Sequence, residues 1–380
     1  MNHEPLHDRA LGERAVLAET APLVLASGAR LERFPLAYKT YGRLDAARSN
    51  VILVAHALSG DQVVAGPHPL TGRRGWWDRL VGPGRILDTD RYFVLCANVP
   101  GGCMGSVGPG SIDPETGRPY GPDFPGLTIA DMVRAEALLL DHLGIEDVFL
   151  VIGGSMGGMQ ALEWVRLFPG RVFAAAAFAV GARHSAQQIA LHAIGRQAIL
   201  NDPDYQDGRY YGTGRAPVGG LAVARMLAHL SYRSPQELEA RFGRALQDRT
   251  APSFGFGIDY QVESYLAHHG HRFVERFDPL SYLVITKAMD HFDLAPDGDV
   301  TTVFRGRETP LMLAAYDTDW LYPPAETAAL AAALEAAGLA VDFAVHEALT
   351  GHDSFLLEVP SADRALKRFV ESCAARRGLA

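Results

Sequence analysis

Cysteine is scarce in this chain. Cys96, Cys103 and Cys373 are the only three in 380 residues. They are odd in number and widely spaced, and no C-x-x-C pair occurs, which argues against a disulfide framework and against a cysteine zinc site. Lysine is as scarce. Lys39, Lys287 and Lys367 are the only ones, so arginine supplies nearly all of the 35 basic side chains. Those are outnumbered by 44 acidic residues, giving a net charge of -9. A nucleic-acid partner, which leaves a basic footprint, is therefore not expected. Any anionic ligand must be held mostly by guanidinium groups, backbone N–H groups and helix N-termini. Long apolar runs are also missing. None reaches membrane-spanning length, and residues 1–21 are polar and charged with no apolar leader core. A cytoplasmic protein with no membrane partner is the expectation. With 48% hydrophobic and 21% charged residues the chain has an ordinary globular composition.

Short runs rich in β-branched residues recur at 51–56, 92–98, 148–152, 172–180, 311–316 and 341–346. Each reads as a buried strand. Helical segments alternate with them. Residues 127–143 have an apolar helical period and stop at Gly144. Residues 325–337 start after Pro323-Pro324 and stop at Gly338, the usual proline-start, glycine-stop asymmetry. This alternation predicts an α/β fold with a mostly parallel sheet covered on both faces. The pattern breaks between 184 and 307, where no buried-strand run is found. Helix-like segments at 186–200, 221–229 and 235–246 stand there instead, separated by polar, glycine-rich loops. The domain reading is a core of residues 1–183 and 308–380 with a helical insertion over 184–307.

The most informative stretch is Gly153-Gly154-Ser155-Met156-Gly157. It is a G-x-S-x-G motif with an apolar strand before it and a helix over 159–168 after it. Strand, sharp turn and helix form the context a nucleophile elbow requires, and the flanking glycines let strand and helix backbones pass closely. A serine hydroxyl is a weak nucleophile, so it needs a base, and the base needs an orienting carboxylate. On such folds the order is serine, acid, histidine. The strand at 311–316 runs into Asp317-Thr318-Asp319, and the strand at 341–346 is followed by Gly351-His352. His352 is the base candidate. Asp317 and Asp319 are equivalent by position. The oxyanion donors should be the backbone N–H of Met156 and that of Leu58, in the loop His56-Ala57-Leu58-Ser59-Gly60. His56, at a strand end, reads as a structural histidine.

Two features receive blander readings. The glycine-rich run 101–105 lacks a following Gly-Lys-Ser/Thr, so it reads as a loop walling the site and not as a phosphate cradle. His268, His269 and His271 read as a surface loop without carboxylate support, and no metal site is expected.

The motif then extends into a resemblance. Gly153 through Leu162 resembles the elbow of the homoserine O-acetyltransferases, acyltransferases of the α/β-hydrolase fold. The likeness continues in 56–61, Gly75-Trp76-Trp77-Asp78, 98–109, Arg276-Phe277-Asp278 with Ser281-Tyr282-Leu283, 319–323 and 351–356. These segments span almost the whole chain in order. Departures are small: Pro100, Met104, and Ser59 where threonine is common. The resemblance implies an α/β-hydrolase fold with a helical lid, and Asp319 as the acid. It implies Arg225 and Asp353 as contacts to the substrate amino acid, whose carboxylate and ammonium suit a guanidinium and a carboxylate. By its sequence alone Arg225 would read as an ordinary helix-surface residue. Relatives using succinyl-CoA carry arginine where Leu321 stands, so acetyl-CoA is implied as co-substrate, with no permanently bound cofactor. The product would be O-acetyl-L-homoserine, a methionine precursor. A homodimer through the lid is also implied. Succinyl-CoA as donor, serine as acceptor, an esterase and a non-catalytic binding protein are the alternatives.

Overall fold

The computed structural model of the chain describes residues 11–379. The first ten residues of the polar N-terminal segment lie outside it. The six apolar runs become strands of one eight-stranded sheet, joined by two that the sequence pattern did not flag. In chain order these are β1 (Glu13–Leu17), β2 (Phe34–Tyr41), β3 (Val51–Ala55), β4 (Phe93–Ala97), β5 (Val148–Gly154), β6 (Val172–Phe178), β7 (Leu311–Tyr316) and β8 (Val341–His346). Their order across the sheet is β1-β2-β4-β3-β5-β6-β7-β8. The β1–β2 and β2–β4 pairs are antiparallel and the rest are parallel.

Side chains alternate across this sheet, and both faces are covered. Val51 and Leu53 enter one apolar core, with α1 (Ile129–His142) and α2 (Met156–Leu167). Ile52 and Val54 enter the other, with Trp77 and the C-terminal helix α10 (Pro360–Arg377). That is why β3 and β5 read as unbroken apolar runs and not as alternating ones. α1 starts on a capping box in which Thr128 and Asp131 satisfy each other's backbone N–H groups. α9 (Pro324–Ala336) begins at Pro324, and the left-handed Gly338 (φ 96°) follows it.

Between β6 and β7 the chain runs through α3 (Ala186–Leu200), α4 (Val218–Tyr232), α5 (Pro235–Phe242), α6 (Gln261–Val274), α7 (Pro279–Asp290) and the short α8 (Val300–Phe304). The chain leaves the sheet and comes back side by side. His184 N–H donates to Phe292 O, and Leu294 N–H donates to Ala182 O. Beyond that neck α8 packs on α9, and Thr301 donates to Ala333 O. The sequence reading needs correcting in three places here. The helix expected to run to 246 stops at Phe242, because Gly243 is left-handed (φ 46°). The helix expected at 221–229 is longer at both ends. His268, His269 and His271 belong to helix α6 and not to a loop. His269 is half-buried and stacks on His229, ring centroids 3.9 Å apart.

Candidate active site

β5 lies in the middle of the sheet, between β3 and β6, and ends in the G-x-S-x-G turn. Ser155 occupies the tip with φ 56° and ψ -123°, a strained conformation for a residue with a side chain. Two glycines make the turn possible. A Cβ on Gly153 would lie 2.6 Å from the carbonyl oxygen of Ala55 on β3, and one on Gly157 would overlap the same atom. Strand, turn and helix therefore cross with no room between them, and Ser155 follows directly from that crossing.

The acid and base candidates lie beyond the ends of β7 and β8. Asp319 Oδ2 lies 2.8 Å from His352 Nδ1, and both side chains are buried. The other carboxylate oxygen accepts the N–H groups of Leu321 and Tyr322, each at 2.9 Å. Asp317, its rival by position, is exposed and accepts only the Ala348 N–H. Gly351 sets the histidine loop. It is left-handed (φ 68°), and a Cβ there would lie 2.7 Å from Ser234 N at the start of α5.

Tyr322 joins these groups, and the sequence reading gave it no role. Its ring stacks on His352, centroids 5.0 Å apart, and its hydroxyl faces Ser155. The same hydroxyl lies 2.7 Å from His184 Nε2. His184 in turn faces Asp290, which also holds His192 at 2.9 Å and Arg196 at 2.6 Å. A polar chain thus runs from the serine to α3 and α7. Burial lowers the pKa of His184, so a neutral imidazole suits this position. His184, His192 and Asp290 are the one group among the described residues with metal-ligand spacing, and Arg196 supplies positive charge beside it. His184 follows a strand end, as His56 does, and this was the only signal available for it in the sequence.

The loop 56–60, expected to supply an oxyanion donor, is braced from behind. His56 Nδ1 bonds Ala57 O at 2.8 Å, and its Nε2 accepts the Val99 N–H, so both ring nitrogens are used. Gln160 donates to the His56 carbonyl. The 101–105 run is fully buried against this loop, with Gln62 donating to Met104 O. Leu58 is buried, and Met156 opens α2 directly after the serine.

Arg225 projects from α4. Its guanidinium reaches the Ser59 hydroxyl at 3.3 Å and lies over the rings of Phe273 and Tyr232. Asp353, next to the histidine, faces Arg233 at 3.3 Å, and burial raises its pKa although the arginine opposes this. Arg233 was not singled out from the sequence. Leu321 is buried, its N–H bound to Asp319 and its carbonyl to Gln188.

A strained serine at the tip of a strand–helix crossing, with an acid–histidine pair beyond later strands, defines the α/β-hydrolase fold class. The model of that fold matches residues 50–359. Over 360 residues, 94% of this chain and 92% of the relative, the sequence is 54% identical to a homoserine O-acetyltransferase of Mesorhizobium japonicum. It is 51% identical to one from Rhodospirillum rubrum, across 100% of this chain and 97% of that protein. This chain belongs to the homoserine O-acetyltransferase family of α/β-hydrolase-fold enzymes. Among solved structures, homoserine O-acetyltransferase from Bacillus anthracis superposes with a TM-score of 0.86 at 25% identity, covering 94% of this chain and 96% of that one. Esterase E22 superposes almost equally well, with a TM-score of 0.85 at 26% identity over 94% and 99%.

Proposed function

We propose that the protein transfers the acetyl group of acetyl-CoA to the hydroxyl of L-homoserine through an acetyl-serine, giving O-acetyl-L-homoserine for methionine biosynthesis. The observation that carries this reading is the Asp319–His352 hydrogen bond beside a strained Ser155, in a chain half-identical to relatives named for that reaction. His352 Nε2 takes the Ser155 proton as the hydroxyl attacks the thioester carbonyl. The Asp319 carboxylate fixes the imidazole tautomer and stabilises the imidazolium. The N–H groups of Met156 and Leu58 receive the oxyanion. Coenzyme A leaves as its sulfur takes the proton from His352. His352 then deprotonates the homoserine hydroxyl, which attacks the acetyl-serine and returns Ser155. Arg225 clamps the homoserine carboxylate and Asp353 holds its ammonium.

The helices between β6 and β7 act as a lid that narrows the path to the serine and limits water. The lid is also the surface proposed to bind a second copy of this chain in a homodimer. Ile194 on α3 and Val223 and Leu230 on α4 are exposed apolar side chains that such contact would cover. No helix among the described residues is long and apolar enough to cross a membrane. A cytoplasmic location is proposed because both substrates are met there.

An esterase is the second reading, favoured by the likeness to esterase E22. The test is thiol release with acetyl- or succinyl-CoA crossed with homoserine or serine, together with mass spectrometry of the enzyme after acetyl-CoA alone. The expected result is homoserine-dependent release from acetyl-CoA and an acetyl adduct on Ser155 that Ser155→Ala lacks. Rapid release without homoserine would favour the esterase, and a fully active Ser155→Ala enzyme would remove the mechanism.

A further inference from the structure

Beside the oxyanion loop lies a cavity of about 320 Å³. Ser59 and Arg225 both line it and are in contact with each other, and Ser59 directly follows Leu58 in the loop expected to supply an oxyanion donor. Four more arginines line it: Arg73, Arg74, Arg272 and Arg276. This is a marked concentration in a chain with net charge -9. Asp61 and Glu275 are the only carboxylates among the lining residues. Asp61 is buried and already taken by His68 at 3.0 Å, with Arg276 at 3.8 Å. Arg276 also donates to the Ser59 carbonyl at 2.6 Å, so it serves the wall of the site.

The rim arginines are differently placed. Arg272 is paired only with Glu275 at 2.8 Å, and both side chains are about half exposed (44% and 51%). Arg74 is 77% exposed and paired with Asp78. The exposed Arg73 side chain has no hydrogen-bond or ion-pair partner among the described residues. Exposed pairs such as these contribute little to stability, so their guanidinium groups can turn to a stronger anion at small cost. A phosphate oxygen is such an anion, because guanidinium binds phosphate bidentately.

We propose that this arginine rim is the subsite for the phosphates of the thioester donor, with the pantetheine arm reaching inward past Arg225 and Ser59. The inference rests on the coenzyme A reading above and deepens it. That reading requires a polyanion to be gripped by a chain almost without lysine, and this cavity gathers five arginines beside Ser59, next to the proposed oxyanion donor Leu58. Because homoserine follows the donor through the same opening, Arg225 is free to receive its carboxylate once coenzyme A has left. No bond is made or broken at the rim. Its contribution is uniform binding, which appears in KM and not in kcat.

The test compares coenzyme A with pantetheine, which lacks the phosphates. Binding of each is measured by calorimetry to the wild-type enzyme, to Arg73→Ala, to Arg272→Ala and to the double variant Arg73→Glu/Arg272→Glu. Each alanine variant should weaken coenzyme A binding about three- to tenfold, as expected for losing one charge-assisted contact near solvent. The double variant should weaken it by about a hundredfold or more, and added salt should shrink the wild-type advantage. Pantetheine binding should change less than twofold in all of them. With acetyl-CoA as substrate the loss should fall on KM. Variants that bind coenzyme A as wild type does would overturn the subsite even if acetyl transfer proceeds normally. A wild-type enzyme that binds coenzyme A through these arginines but transfers no acetyl group would keep the subsite and overturn the functional reading. Equal weakening of pantetheine would mean the substitutions disturb the cavity itself and would also reject the proposal.

Discussion

Asp319 gives one carboxylate oxygen to His352 at 2.8 Å and the other to the N–H groups of Leu321 and Tyr322. The carboxylate is thus bonded through both oxygens, which fixes its orientation toward His352 and suits it to the proposed role of acid. Asp317, two residues earlier, serves only the 348 backbone. Asp319→Asn should lower kcat by on the order of a thousandfold or more, by analogy with other triad aspartates. Asp317→Asn should cost less than about tenfold, since it loses one exposed hydrogen bond. Steady-state kinetics of the two variants decides it, and a reversed order would reassign the acid.

Arg225→Lys keeps the charge but loses the planar fork and its stacking over Phe273 and Tyr232. Acetylation of Ser155 by acetyl-CoA alone should proceed within a few-fold of wild type. Homoserine-dependent deacetylation should fall roughly ten- to a hundredfold, the range for one charge-assisted pair. Rapid-quench measurement of both half-reactions separates the two, and equal damage would place Arg225 with the donor instead.

Leu321 is apolar and buried two residues after Asp319, and in the proposed acyl pocket it would offer a succinyl carboxylate no partner. Leaving that carboxylate unpaired costs several kcal/mol, so succinyl-CoA should be poorer than acetyl-CoA by roughly a hundredfold or more in kcat/KM. Leu321→Arg should narrow the gap by supplying a charge-assisted partner. Parallel kcat/KM values for the two donors check this, and equal use of succinyl-CoA by wild type would contradict it.

Glu136 on α1 is fully buried, bonded through one oxygen to Trp164 Nε1 at 2.7 Å, and burial pushes its pKa up to about 8. Below about pH 4.5 it is protonated in both the folded and the unfolded chain. As pH rises toward 8 the unfolded chain ionises first, so folding loses stability at up to about 1.4 kcal/mol per pH unit from this group. Glu136→Gln removes that loss. Its melting temperature should gain on wild type steadily between pH 5 and pH 8, read by thermal unfolding across that range. A gap that does not change with pH would show that Glu136 does not titrate this way.

The parts of the fold that could be read from sequence are those where burial writes a pattern into the chain. β3 and β5 are buried on both faces and appear as apolar runs, and the elbow announces itself because the crossing with Ala55 admits no side chain at Gly153 or Gly157. β1 and β2 were missed for the opposite reason. β1 is a sheet edge with alternating exposure, and β2 carries Pro35 and Lys39. Helix α6 is hard to see in the sequence because Gly270 and three histidines occupy its second half. Asp319 could not be told from Asp317 by position, since the difference lies in which carboxylate the turn folds back onto its own N–H groups. Tyr322, His184 and Asp290 come together from three distant segments, and no local spacing announces such a meeting.

The paired neck at Ala182–His184 and Phe292–Leu294 has a consequence for how such a chain can change over time. The two ends of the insertion already sit within one hydrogen bond of each other, so to the sheet the whole segment is a closed loop whose length hardly matters. Lengthening it adds only a slowly growing closure entropy. Shortening it to a turn between Ala182 and Leu294 would leave every strand pairing untouched. The helical segment is in this sense a cassette for the sheet, whose strands do not depend on it, whereas the loops that carry Asp319 and His352 do lean on it through Gln188 and Ser234. An exchange would sever those contacts, the Arg233–Asp353 pair and the polar line from Asp290 through His184 to Tyr322, so a transplanted segment must bring its own partners for these groups.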